Sequence, residues 1–186
     1  MENRGRIDNE VIFVLTIFPY ILLMNLVKKQ FAGYIFFSIL LGGFPQSISD
    51  IDGNIINIKE LTTQKTVAVI TMKAPDCPVC QTQILRIMEN FDKLSACNVT
   101  FLVLAPGPDE KLQSTKEITQ FPFPFIVDKK LDISRSLDLL LNETEILPSI
   151  LILNEKLEVE WQQKGRNALY FGDPELMKRL KCEGWI

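Results

Sequence analysis

Apolar positions are spread along this chain in two regimes. From Val11 to Gly43 almost every residue is apolar, with breaks at Pro19, Asn25 and Lys28 to Gln30. From Ser47 onward, apolar runs of strand length alternate with stretches in which apolar residues return every three or four positions, the periods of sheet and helix. Asp52-Gly53-Asn54, flanked by Ile48, Ile51, Ile55, Ile56 and Ile58, predicts a small hairpin, and Lys59 to Gln64 reads as a connection. Thr66 to Met72 and Val99 to Ala105 are apolar or β-branched almost throughout, as strands covered on both faces require. Between them, Ile84, Leu85, Ile87, Met88, Phe91 and Leu94 form one helical stripe beginning at Cys77. After Pro106-Gly107-Pro108, Asp109 can cap a helix running to about Gln120. Phe121-Pro122-Phe123-Pro124 forces an extended entry into a short strand, Phe125 to Val127, and Asp132 to Leu141 predicts another amphipathic helix. Ser149 to Leu153 is a strand that turns through Asn154-Glu155-Lys156 into an antiparallel neighbour, Leu157 to Gln163. Asp173-Pro174-Glu175 combines an N-cap, a first-turn proline and an acid, which predicts a last helix to about Cys182. The pattern is that of one α/β domain over residues 44–186, a central mixed sheet flanked by helices, with no internal repeat.

Residues 1–43 are expected to be a signal peptide or membrane anchor. Val11 to Val27 is at the lower limit of what crosses a hydrocarbon core of ~30 Å. Phe31 to Leu41, preceded by Lys28 and Lys29 and followed by Gly42-Gly43-Phe44-Pro45-Gln46-Ser47, has the order of a signal peptide. Read from Met24 it is an export signal, which makes Met24 an alternative start to Met1. Either form places the domain outside a membrane, in an extracytoplasmic compartment. A buried hairpin in a soluble core is the remaining reading, and the rest of the sequence offers no second layer to cover it.

Composition narrows the chemistry. The net charge of -3 comes from interspersed acids and bases without a basic stripe, which argues against nucleic acid as a partner. The chain has no histidine, so Ser-His and Cys-His catalytic pairs and the commonest zinc ligand are excluded. Its four cysteines are Cys77, Cys80, Cys97 and Cys182, of which only the first two are close in sequence.

Two cysteines three apart at a helix start lie on one face and can close a disulfide with little backbone movement. Cys77, at or beside the N-cap, meets unsatisfied amides and the positive end of the helix dipole, so it is the candidate nucleophile. Pro78 suits the first helical position, and Cys80 is then the resolving thiol. Asp76 opposes a Cys77 thiolate and Lys73 favours it, and no arginine is near in sequence. Half a zinc site is the alternative for this pair, but its other ligands would have to be Cys97 and Cys182, which lack paired spacing. No metal and no cofactor are therefore expected, and Cys97 and Cys182 are read as packing or incidental thiols.

The strand followed by Ala74-Pro75-Asp76-Cys77-Pro78-Val79-Cys80 and an amphipathic helix resembles the thioredoxin-like redoxins. Phe121-Pro122-Phe123-Pro124-Phe125-Ile126-Val127-Asp128 is similar to a segment of the alkyl hydroperoxide reductase and thiol-specific antioxidant group. Leu147-Pro148-Ser149 resembles the cis-proline loop that presents backbone groups to an extended substrate, which implies Leu147 and Pro148 as substrate-binding residues. Gly165 to Leu180 is similar to the group's last strand and closing helix. The resemblance implies a thioredoxin-like fold. The sequence also departs from its relatives. A Pro-x-x-x-Thr-x-x-Cys peroxidatic frame would put Thr at Ala74 and Pro at Ile70 for Cys77, or at Cys77 and Lys73 for Cys80. Asp76 stands where thioredoxins usually have tryptophan, and Thr71 where they have a buried acid. The targeted N-terminus with a CPVC motif is similar to exported thioredoxin-like maturation factors.

Three functions remain open on the sequence. The first is a thiol–disulfide oxidoreductase acting on protein thiols or disulfides and served by a thiol electron donor. The second is a thiol peroxidase using the same pair through a sulfenic acid. The third is a non-catalytic binding domain with a permanent disulfide.

Overall fold

The computed structural model describes residues 43–89, 92, 94, 97–165 and 180. The hydrophobic segment up to Gly42, the predicted last helix and Cys182 lie outside the described residues. The fold opens with the expected hairpin, β1 (Ser47–Ser49) pairing antiparallel with β2 (Ile55–Asn57) so that Ile48 faces Ile56. Its turn is closed by the Asp50 carboxylate, whose Oδ1 accepts from the Asp52 and Asn54 amides at 3.0 and 2.8 Å. Gly53 supplies the φ of +86° that the turn needs and that side-chain-bearing residues rarely adopt.

The expected connection at Lys59 to Gln64 is instead a helix, α1 (Ile58–Gln64). Asn57 is its N-cap, accepting from the Glu60 amide at 3.1 Å, while the Glu60 carboxylate accepts from the Asn57 side-chain amide at 3.3 Å. The cap satisfies a backbone amide that the helix start would otherwise leave orphaned, the second bond holds the Asn57 side chain in place, and together they outweigh the modest helix preference of Thr62 and Thr63.

The central sheet has five strands in the order β5-β4-β3-β6-β7: β3 (Thr66–Thr71), β4 (Val99–Ala105), β5 (Phe125–Val127), β6 (Ser149–Leu153) and β7 (Val159–Lys164). β3, β4 and β5 run parallel, whereas β6 is antiparallel to β3 and β7 to β6. The connections carry α2 (Pro78–Glu89), α3 (Asp109–Thr119) and α4 (Asp132–Ser136). Alternation along β3 and β4 divides the core. Ala68, Ile70, Phe101 and Val103 face one side with Ile84 and Ile87 of α2, while Val67, Val69, Leu102 and Leu104 face the other with Ile58 of α1. Both faces are sealed, which is why these strands read as continuous apolar runs.

Phe121, Phe123 and Phe125 form a ring cluster with Phe101, at centroid separations of 5.0 to 6.2 Å. The Phe-Pro-Phe-Pro segment is therefore core scaffolding, and its final Asp128 is buried. The Asp128 carboxylate accepts from the Ser134 amide and hydroxyl, both at 2.7 Å, and so anchors α4. That helix was expected to reach Leu141 but stops at Ser136. Asp138 takes a left-handed conformation (φ 54°) and the Leu139 amide returns to the Ser134 carbonyl, which ends the helix short of Leu141. Phe44 is buried and its amide donates to the Leu157 carbonyl at 2.8 Å, so it is part of the folded domain.

Candidate functional site

β3 and β4 end on the same edge of the sheet, and the chain leaves β3 there to enter the turn before α2. This is the edge at which α/β folds expose backbone and side chains to ligands. Cys77 is the N-cap of α2: its carbonyl accepts the first intrahelical bond, from the Gln81 amide at 3.0 Å. Its Sγ accepts from the Cys80 amide at 3.4 Å, filling one of the donors that a helix start leaves open. Cys77 and Cys80 are joined in a disulfide with Cα atoms 5.3 Å apart. Cys77 is the more accessible, at 8% exposure against 2% for Cys80, and Pro78 and Val79 stand exposed beside it.

The charges around Cys77 differ from the sequence reading. Lys73 is committed to Glu145, Nζ to Oε1 3.0 Å, and does not serve Cys77 alone. Asp76 is paired with Lys111 of α3 at 2.7 Å. The hydrogen bond from Lys111 holds the Asp76 carboxyl below the usual aspartate range. The aspartate beside Cys77 therefore carries its countercharge with it, contributed from another helix.

The Leu147-Pro148 loop meets the same edge, because Ser149 at the start of β6 pairs with Thr71 at the end of β3. Two features set it apart from the loop it resembles. Among the described residues the cis peptide is Gly107–Pro108, and the Leu147–Pro148 bond is trans. The loop's backbone is also spent inside the protein. The Leu147 amide donates to the Leu139 carbonyl at 2.6 Å, the Leu147 carbonyl accepts from the Thr71 hydroxyl at 2.7 Å, and the Pro148 carbonyl accepts from the Gly165 amide at 2.8 Å. Leu147 consequently has no amide to offer an extended substrate. Thr71, at the position of the thioredoxin acid, is a tether for this loop.

Sequence reasoning missed a cluster on α3. The Thr115 hydroxyl donates to the Pro75 carbonyl at 2.6 Å and accepts from the Gln81 side-chain amide at 2.8 Å. Lys111 lies one turn earlier on the same helix face. The available signal was the spacing of the buried Leu112, Thr115 and Thr119, a stripe in which threonines replace apolar residues. Cys97 is disulfide-bonded, in contrast to its reading as an incidental thiol. No group of side chains suited to holding a metal ion occurs among the described residues.

Solved structures of similar fold include the peroxidoxin BcpB of Mycobacterium tuberculosis, 14% identical with a TM-score of 0.61 over 73% of this chain and 89% of that one. Peroxiredoxin Q of Xanthomonas campestris is 13% identical with a TM-score of 0.62, over 74% and 90%. A secreted Mycobacterium tuberculosis disulfide oxidoreductase homologous to E. coli DsbE is 17% identical with a TM-score of 0.55, over 72% and 92%. At these identities the likeness establishes the thioredoxin-like fold. No curated protein matches the sequence. The AhpC/TSA family matches residues 44–162, a stretch that contains the sheet through most of β7, the Cys77–Cys80 pair and the Phe-Pro-Phe-Pro segment. With a redox-capable cysteine pair set at the open edge of that sheet, the chain belongs to the AhpC/TSA family and is a thioredoxin-like oxidoreductase.

Proposed function

We propose that the protein is a thiol–disulfide oxidoreductase acting on protein disulfides. The observation that carries this reading is the position of the Cys77 sulfur, at the N-cap of α2 within reach of the Cys80 amide. In the dithiol form that amide and the helix dipole stabilise a Cys77 thiolate. The thiolate attacks a substrate disulfide, forming a mixed disulfide and expelling one substrate thiolate. Cys80 then attacks the Cys77 sulfur, expelling the second substrate thiolate and closing the Cys77–Cys80 bond. Two electrons reach the substrate, and a donor dithiol restores the pair.

Docking on this reading uses the exposed apolar rim of Pro78 and Val79, with the Leu147-Pro148 loop at the same sheet edge, while the Leu147 side chain packs against the cluster on the other face of the sheet. Peroxide reduction is the weaker alternative, because positions 70 and 74 hold Ile and Ala where the peroxidatic frame has Pro and Thr. The test is turnover of insulin disulfides and of hydrogen peroxide by the purified protein. Cys77→Ser abolishes insulin reduction, and Cys80→Ser accumulates a mixed disulfide through Cys77 that gel shift detects. Peroxide consumption without insulin reduction overturns the assignment.

The same reading places the domain outside the membrane, on the strength of the apolar stretch before Gly43. Phe44 belongs to the core, so processing of a leader at or before Gly43 leaves the fold whole, whereas a cut beyond Phe44 removes a core aromatic. Digestion of intact cells with the cell wall permeabilised exposes the domain to protease; protection until the membrane is lysed contradicts the placement.

A further inference from the structure

The turn that carries the cysteines is held by one hydroxyl from a different helix. Thr115 is buried (1% exposed), and its Oγ1 bonds Pro75, two residues before Cys77, and Gln81, one residue after Cys80. The hydroxyl proton points to the Pro75 carbonyl and a lone pair to the Gln81 amide, so both directions of the group are used. Thr115 thus brackets the redox ring from both sides. We propose that Thr115 is a positioning residue for the redox couple, holding the two sulfurs in register when the bond between them is open. The proposal rests on the reading of Cys77 and Cys80 as a reversible pair.

The physical argument concerns the dithiol. In the disulfide form the ring itself fixes residues 77 to 80. Once it is reduced, residues on either side gain freedom, and closing the ring again costs the entropy of that freedom. A clamp between Pro75 and Gln81 that persists in the dithiol removes much of that cost in advance. It therefore favours ring closure: protein dithiol plus oxidised glutathione gives protein disulfide plus two reduced glutathiones, with two electrons transferred.

The experiment uses the full chain. Wild type, Thr115→Val, Thr115→Ser and Gln81→Leu are equilibrated in glutathione redox buffers, and the Cys77–Cys80 state is read by alkylation and mass spectrometry. Valine keeps the shape of threonine and removes the hydroxyl, which takes this partner from the buried Pro75 carbonyl and from the half-buried Gln81 side-chain amide. The expected equilibrium constant for ring closure falls about tenfold in Thr115→Val, corresponding to ~1.4 kcal/mol. It returns to within about twofold of wild type in Thr115→Ser and falls about threefold in Gln81→Leu, which loses one of the two bonds. A Thr115→Val constant equal to wild type overturns the role, as does a Thr115→Ser constant no better than that of Thr115→Val. If Thr115→Val fails to fold, an unchanged constant in Gln81→Leu overturns it. A pair that excess dithiothreitol leaves oxidised in the folded protein overturns the couple itself. Glutathione is the only partner in the assay, so failure to turn over protein disulfides has no bearing on this result.

Discussion

At the scale of single residues, the feature that departs from the sequence pattern of thioredoxins is an acid directly before Cys77. Asp76 is held ionised by Lys111, so its charge is present throughout the range in which a thiol titrates. A carboxyl whose pKa is lowered by folding adds stability above the ordinary aspartate range and loses it as pH falls through the lowered value. Protonation of Asp76 thus belongs to acid unfolding and not to catalysis near neutrality. What matters near neutrality is the balance of the two charges at Cys77. Removing the acid in Asp76→Asn leaves Lys111 uncompensated and moves the Cys77 pKa down; Lys111→Met leaves the acid uncompensated and moves it up. The pair is more than half exposed, so screening keeps each shift below about one pH unit, and it shrinks further in high salt. The rate of alkylation of reduced Cys77 against pH measures both. Shifts in the same direction in the two variants would mean that this pair does not act on the cysteine through its charge.

At the scale of elements, legibility followed how local each cause is. β3, β4 and β6 were marked almost to the residue by continuous apolar runs, because burial on both faces leaves no place for a polar residue. α1 was overlooked although its cap, Asn57 with Glu60, lies within four residues, because the threonines that follow lack an apolar stripe to mark a helix. α4 was drawn too long, since the apolar run of Leu137, Leu139, Leu140 and Leu141 continues a pattern that the left-handed Asp138 interrupts. The cysteine pair was visible because its whole geometry is contained in one helix start. Thr115 and Lys111 were not, because each acts on a turn that lies 34 to 40 residues away and is brought close only by folding. The same holds for Leu147 and Pro148: the motif marked their place beside the site, but whether their backbone groups were available depended on Thr71, Leu139 and Gly165.

At the scale of the whole molecule, the redox equilibrium and the stability of the fold are two sides of one thermodynamic cycle. Whatever the folded protein contributes toward closing the Cys77–Cys80 ring, relative to the unfolded chain, must appear as extra stability of the oxidised form. Two contributions oppose each other here. The helix start stabilises a Cys77 thiolate and so favours the open form, while the bracket from Thr115 and the short Cα separation favour the closed one. Both surrounding charges are already paired, which leaves the thiolate with the helix amides as its main support, and the closed form gains. The oxidised protein is accordingly expected to be the more stable by about 2 kcal/mol, the scale of closing so short a loop. Denaturant unfolding of the oxidised protein, and of a form in which alkylation confirms that this pair alone was reduced, gives the difference directly. A reduced form more stable than the oxidised one would reverse the direction of electron flow, making the protein a donor of disulfides to its substrates instead of a reductant.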